Sequence, residues 1–272
     1  MIIFTDKDTA EISELIFSKH KIDFRNYAKS SLSRRFSRFM SLHSITTKEA
    51  FVSFIDQLSD VNSFVEEITV NTTEMFRDPG FWIALREQVL PILSSYENIK
   101  IWHAGCSTGE EVVSMQILLT EMGLKNKVSA YATDLDSTVL EKAKKLTYPK
   151  KNFALNEANY KEAKGQYSLE KYIRESNDFT YSFQEELIEN VTFKKNDLVK
   201  ELMYTKFDLI LCRNVLIYFD FELQEKVFKK FITNLFSSGF VAIGQKELIL
   251  SNDILADLSL FHATEKIYRY NK

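Results

Sequence analysis

"WHAGCSTGEE", Trp102 to Glu111, places two of the chain's seven glycines four residues apart, directly after the apolar run "IKIW". Gly105 and Gly109 there mark a tight turn from a strand into a helix, and turns of this kind commonly hold a nucleotide. The spacing departs from the three-glycine dinucleotide fingerprint, so the turn alone leaves the ligand open. "NIKIWHA" reads as a short buried strand, and "EEVVSMQILLTEMG" as a helix ended by Gly123.

Working outward, the alternation continues. "KVSAYATD" is the next strand and "STVLEKAKKL" the next helix, followed by "NVTFKKND", "KFDLILCRN", the amphipathic helix "FELQEKVFKKFITNLF", and "GFVAIGQ". Such alternation predicts an α/β fold, with a parallel sheet covered on both faces. Upstream, "DPGFWIALREQVLPIL" reads as a helix with Asp78 as N-cap and Pro79 at the first helical position, where a missing N–H costs nothing. The segment from about residue 150 to 190 breaks the rhythm, and its "KYIRE" and "DFTYSF" suggest a small antiparallel β insert. Before residue 70 the pattern is helical only: "TDKDTAEISELIFSKH" from Thr5, "TTKEAFVSFIDQL" from Thr47, then "SDVNSFVEEITV". The expected domains are therefore an all-helical one over 1–70 and an α/β one over 71–272.

Bulk properties narrow the class. A chain of 272 residues that is 45% apolar builds real cores, and a net charge of -3 argues against non-specific nucleic-acid binding. Cys106 and Cys212, the two cysteines, support neither a disulfide framework nor a zinc cluster, and no metal site is expected. The start "MIIFTDKDTAEIS" turns acidic too soon for a signal peptide, and no run is long enough to cross a bilayer. The expectation is a cytoplasmic protein.

Ligands of open parallel sheets bind at the carboxyl ends of the strands. Gly105 and Gly109 follow the first strand, Asp134 the second, Asp197 the third, and "RNVLIYF" with Arg213, Asn214 and Tyr218 the fourth. A carboxylate at Asp134 suits the two hydroxyls of a ribose, and Asp197 suits an adenine amino group. The incomplete glycine pattern disfavours a pyrophosphate, so S-adenosylmethionine is preferred over a nicotinamide dinucleotide. Each feature also has a structural reading: close packing for the glycines, helix capping for Asp134, packing for the cysteines, a hydrogen-bonded structural role for His103. Their conjunction at four strand ends favours a site.

"VNTTEMFRD", "WHAGCSTGEE", "YATDLD", "FDLILCRNVLIYFD" and "GQKE", in this order, resemble the CheR family of chemotaxis-receptor methyltransferases over nearly the whole chain. The resemblance implies a Rossmann-like class I methyltransferase sheet with a small antiparallel β insert, preceded by a helical domain. It implies S-adenosylmethionine as methyl donor, S-adenosylhomocysteine as product, and receptor glutamates as acceptors. Asn71, Thr73 and Arg77 match the family's linker motif at the cofactor, with Arg77 on the methionine carboxylate. Glu111 matches a cofactor-contacting acid and Asp134 the ribose-binding acid; Gly105, Asp197 and Leu198 fall at further cofactor contacts. Arg213, Asn214 and Tyr218 match residues beside the transferred methyl group, with Val215 next to Asn214. Arg213 and Tyr218 are expected to orient the acceptor carboxylate. The sequence departs from the pattern at "VVS" after "GEE", at "SSG" near residue 238, and at "GQKE", where Gln245 and Lys246 are unusual and Glu247 is in place.

A glutamate acceptor, with an unperturbed pKa near 4.3, is ionised at neutral pH, so no general base is required. Residues 19 to 48 carry eight Lys or Arg against the single acid Asp23, and Arg34, Arg35 and Arg38 are the candidate residues for docking an acidic receptor helix. Some family members bind a receptor tail peptide through a glycine-containing loop of the β insert; "RESNDFTYS" has no glycine, which points to a tether-independent enzyme. The expected partner is thus the cytoplasmic domain of a chemotaxis receptor, with no nucleic acid, no membrane insertion and a monomeric state. The competing readings are a cofactor-binding sensor or scaffold without receptor methylation, a methyltransferase with another acceptor, and, more distantly, a nicotinamide oxidoreductase.

Overall fold

The computed structural model describes residues 3–68, 73–201 and 203–272. The chain divides into two compact units, one of residues Met1–Asn71 with Leu216–Lys226, the other of Thr72–Val215 with Val227–Lys272.

Among the described residues the amino-terminal part of the first unit holds four α-helices in sequence, α1 Asp6–His20, α2 Lys29–Leu42, α3 Lys48–Asp56 and α4 Val61–Ile68. Thr5 opens α1 with a reciprocal capping box: its side chain accepts from the Asp8 N–H and the Asp8 carboxylate accepts from the Thr5 N–H. Thr47 caps α3 through the Ala50 N–H. The apolar faces meet in a phenylalanine cluster, with Phe51 5.4 Å from Phe36 and Phe39 5.2 Å from Phe64 between ring centroids. The segment from Leu216 to Lys226, expected from the sequence to belong with the α/β part, is built into this unit. The Ala28 N–H donates to the Tyr218 carbonyl at 2.9 Å, and the Asp220 N–H to the Asn26 carbonyl at 3.0 Å.

The second unit begins with a continuous helical stretch, α5 Pro79–Ala84, a π turn Leu85–Val89 and α6 Leu90–Leu93. There follow β1 Ile99–Ala104, α7 Glu110–Glu121, β2 Val128–Asp134, α8 Ser137–Lys145, β3 Thr147–Pro149, α9 Phe153–Glu162, β4 Ile173–Ser176, β5 Thr180–Phe183, β6 Val191–Lys195 and β7 Phe207–Cys212. The chain continues with α10 Phe221–Thr233, which passes from the first unit into the second, and ends with β8 Leu235–Ile243, α11 Asn252–Asp257, β9 Leu258–His262 and β10 Ile267–Tyr270. Among the described residues the main sheet has seven strands in the order β6-β2-β1-β7-β8-β10-β9. The first five run parallel, and β10 is antiparallel to both neighbours. β1 and β7 are buried almost throughout, as expected of central strands with helices on both faces. The order reverses between β1 and β7, so their carboxyl ends open the crevice in which such sheets hold ligands. β3, β5 and β4 form the separate antiparallel sheet of the insert. No helix of the described residues is long and apolar enough to cross a membrane.

The insert is tied to the main layer by one buried carboxylate. Glu121, at the end of α7 and fully enclosed, accepts from Arg86 at 2.5 Å, from the Tyr172 hydroxyl at 3.0 Å, from the Gln166 N–H at 3.2 Å and from the Tyr160 hydroxyl. Burial first, then this carboxylate, pushes the Tyr160 phenol up to about 12, so it stays a donor at all working pH values. Removing one partner of a buried ion pair strands the other. Glu121→Ala is therefore expected to destabilise the protein by about 3–5 kcal/mol in chemical denaturation, whereas Glu121→Gln, which keeps part of the network, loses less.

Candidate active site

The turn after β1 has Gly105 at φ 84, Ser107 at φ 48 and Gly109 at φ 89, a run of left-handed conformations that explains both glycines. A Cβ on Gly105 would stand 2.5 Å from the Val215 side chain, and one on Gly109 would stand 2.9 Å from Ala143 of α8. The glycines thus let the loops after β1 and β7 meet and let α7 start against α8.

Backbone donors fix the turn onto β2. The Gly105 and Cys106 N–H groups both donate to the Thr133 carbonyl, at 2.8 and 2.9 Å. The Ser107 N–H donates to one carboxylate oxygen of Asp134 at 2.8 Å, and the Asp136 N–H to the other at 3.1 Å. Burial pushes the Asp134 carboxyl above its ordinary value, and these two N–H groups oppose it. Asp134 does not cap α8; Asp136 does, accepting from the Thr138 N–H at 2.7 Å. Asp134 is therefore oriented by backbone donors of its own loop and of the turn after β1. Its carbonyl accepts from the Asn196 N–H at 2.9 Å, which brings the end of β6 alongside.

At β7, Arg213 is nearly enclosed, its side chain 3% exposed. One guanidinium nitrogen donates to Asp78 at 2.6 Å and to the Arg77 carbonyl at 3.1 Å, and the other terminal nitrogen reaches Glu111 at 3.3 Å. The guanidinium also lies over the Phe81 ring at 4.0 Å. Asp78 departs from its expected capping role: it sits at φ 56 with no side-chain cap bond, because Arg213 takes its carboxylate. Glu111, in the first turn of α7, is held by Arg213 on one oxygen and by His103 Nδ1 on the other, at 2.9 Å. Burial tends to raise its carboxyl, but the His103 bond and then Arg213 bring it below the ordinary value. Asn214, at φ 61, donates its N–H to Glu247 at 3.1 Å, and the same carboxylate oxygen accepts from Gly244 at 2.5 Å. Glu247 of "GQKE" thus joins the loops after β7 and β8, while Gln245 turns aside to Glu265 at 2.8 Å.

Of the residues singled out by sequence, Gly105, Glu111, Asp134, Arg213, Asn214 and Val215 cluster at the ends of β1, β2 and β7. Thr73 and Arg77 are half-buried in the segment before α5, and Asn71 lies outside the described residues. Asp197 follows β6 and accepts from the Val199 N–H at 2.9 Å, and the Leu198 carbonyl accepts from Lys230 at 2.9 Å. Tyr218 belongs to the first unit, where Arg35 stacks over its ring at 4.0 Å. Arg35 itself is buried and donates to the Ile68 carbonyl at 2.9 Å, which removes it from the expected docking set; Arg34 and Arg38 are exposed. Asp78 and His103 were missed as site residues, although a histidine inside the buried strand "IKIWHA" calls for a polar partner.

A doubly wound sheet with a glycine turn after β1 and oriented acids after β1 and β2 is the site of a nucleoside-binding enzyme, here an S-adenosylmethionine-dependent methyltransferase. The chain belongs to the CheR methyltransferase family: the family's SAM-binding domain matches residues 71–263 and its all-alpha domain residues 7–69. A Pseudomonas putida relative named Cher3 is 36% identical over 253 residues, 90% of this chain and 90% of that one. The chemotaxis protein methyltransferase of Listeria innocua is 30% identical, covering 92% of this chain and 94% of its own. That of Borreliella burgdorferi is 28% identical, covering 92% and 91%. S-adenosylmethionine is the cofactor.

Glu110, beside Glu111, is enclosed, and burial pushes it up to about 7 against a bond from the Thr108 hydroxyl. A carboxyl raised on folding stabilises the protein fully below its unfolded value of 4.5 and loses that contribution as pH rises through about 7. Relative to wild type, Glu110→Gln should gain stability between pH 5 and pH 8, on the order of 2–3 kcal/mol, read from melting curves at both values.

Proposed function

We propose that the protein transfers the methyl group of S-adenosylmethionine to glutamate side chains on the cytoplasmic helices of a chemotaxis receptor, forming methyl esters. The observation that carries the cofactor side is the pair of oriented, partly accessible carboxylates at the ends of β1 and β2. Asp134 takes the ribose hydroxyls. Glu111 takes the methionine ammonium, the other hydrogen-bond donor within an amino-acid nucleoside that suits a carboxylate, and Arg77 takes the methionine carboxylate. Asn71, Thr73, Asp197, Leu198, Asn214 and Val215 complete the contacts. Arg213, whose terminal nitrogens bond Asp78, Glu111 and the Arg77 carbonyl, acts as the scaffold of this set.

Bound there, S-adenosylmethionine supplies a methyl group on a cationic sulfur, whose transfer to a carboxylate oxygen gives the ester and S-adenosylhomocysteine with no proton moved. The protein's task is alignment of an acceptor already ionised at neutral pH. Tyr218 is the residue assigned to orient that carboxylate.

The Listeria and Borreliella relatives are named chemotaxis protein methyltransferases, which supports an acceptor in chemotaxis, and the first unit adds support for an acidic one. Lys19, Arg25 and Lys48 are ion-paired within it, to Asp56, to Asp23 and Glu14, and to Asp8. Arg34 and Arg38, one helical turn apart and exposed on α2, have no ion pair among the described residues. An acidic helix can meet such a pair without displacing an internal partner.

Transfer of labelled methyl from S-adenosylmethionine to a receptor cytoplasmic fragment, in a base-labile product, is the direct test; no labelled receptor would sink the assignment. Asp134→Ala should weaken cofactor binding about 10- to 150-fold by calorimetry, as for a lost hydrogen bond to a charged group. Tyr218→Phe should lower turnover and leave cofactor affinity alone. Reversing Arg34 and Arg38 together to Glu should raise KM for receptor, with a weaker dependence on salt than wild type; intact methylation would remove them from docking.

A further inference from the structure

We propose that His103 is a positioning residue for cofactor binding, holding the Glu111 carboxylate in the orientation that receives the methionine ammonium. The inference rests on the reading of Glu111 given above.

His103 lies in the middle of the sheet, paired with Ala132 of β2 and Leu211 of β7, and is fully buried. A polar ring in that place is costly unless it is bonded. Its Nδ1 meets Glu111 at 2.9 Å, while its Nε2 has no partner among the described residues. The bond to Glu111 is thus what the ring is placed to make. An ionised carboxylate only accepts, so Nδ1 carries a proton and donates it to Glu111.

The distances show what the bond does. Arg213 stands 2.6 Å from Asp78 but 3.3 Å from Glu111, outside the roughly 2.7–2.9 Å of a charge-assisted contact. Without a restraint on its other oxygen, Glu111 would turn towards the guanidinium and satisfy itself there. His103 holds it back. Of the carboxylate's roughly four lone pairs, His103 and Arg213 then use one on each oxygen, and one on each remains for an incoming donor.

The test compares S-adenosylhomocysteine with 5′-methylthioadenosine, which keeps adenine, ribose and sulfur but lacks the amino-acid group. Calorimetry on the full chain should show His103→Ala weakening S-adenosylhomocysteine about tenfold while 5′-methylthioadenosine changes less than about twofold. His103→Asn, whose amide nitrogen can replace Nδ1, should return to within about threefold of wild type. Equal weakening of both ligands, no weakening of either, or an Asn variant no tighter than the Ala variant would each overturn the role. Should His103→Ala fail to fold, His103→Gln, with its amide one carbon further out, takes its place under the same criteria. Glu111→Gln separates the two readings. If it weakens only S-adenosylhomocysteine, the role of Glu111 stands whatever His103 does; if it changes neither ligand, the Glu111 reading itself is lost.

Discussion

The second unit is organised around a guanidinium with almost no access to water. Arg213 would be costly at that depth unpaired, and breaking a buried pair costs about 3–5 kcal/mol, so its contacts with Asp78 and Glu111 fix the loops around it. The competition at Asp78 shows which effect wins. A helix N-cap contributes about 1 kcal/mol, less than the stranded charge would cost, and the aspartate before Pro79 gives up its cap for the ion pair. The price is local backbone strain, with Phe76 at φ 51 and Asp78 at φ 56. Phe76 is held by the Ser114 hydroxyl, which accepts from its N–H at 2.9 Å, and Met75 by Asn156 at 3.1 Å. The segment before α5 is thereby locked against the same crevice into which α7 and β7 point.

A common device recurs at the other strand ends: a carboxylate of one loop receives backbone N–H groups of another. Asp134 takes Ser107 and Asp136, and Glu247 takes Asn214 and Gly244. Backbone donors carry no side-chain entropy, so the loops are fixed before any ligand arrives, and little of a ligand's binding energy is spent ordering them. The unusual Gln245 of "GQKE" leaves this joint in place. The joint between the loops is made by Glu247, and Gln245 finds its own partner in Glu265.

The residues that sequence made legible are those whose role is local. Gly105 and Gly109 report backbone geometry, and Asp134 and Glu111 report a position at a strand end or helix start, each readable from its own element. What escaped depends on distant partners. Asp78 looks like a cap until Arg213, 135 residues on, claims it. His103 reads as a hydrogen-bonded structural residue, and its partner Glu111 is supplied only when α7 folds over β1. β9 and β10 form a short edge hairpin with little periodic burial, and they were not read as strands. α9 was not read either, since the residues it buries include Asn156, a polar group that breaks an apolar stripe.

The basic run on α2 makes the same point in the first unit. Arg34, Arg35 and Arg38 look equivalent as a string, but successive helical residues are turned by about 100°. The face that carries Leu32, Phe36 and Phe39 inward takes Arg35 with it, onto the Tyr218 ring and the Ile68 carbonyl. Burial then disfavours its charge, with Tyr218 and Tyr27 opposing that effect. Arg34 and Arg38 are left on the outer side, four apart and in register with one turn of an opposing helix. A helix that buries one arginine and presents two therefore divides the run into a structural residue, which fixes the segment bearing Tyr218, and a pair open to an acidic partner. Charge count alone would have credited all three to the surface; the periodicity of the apolar residues assigns each to its side.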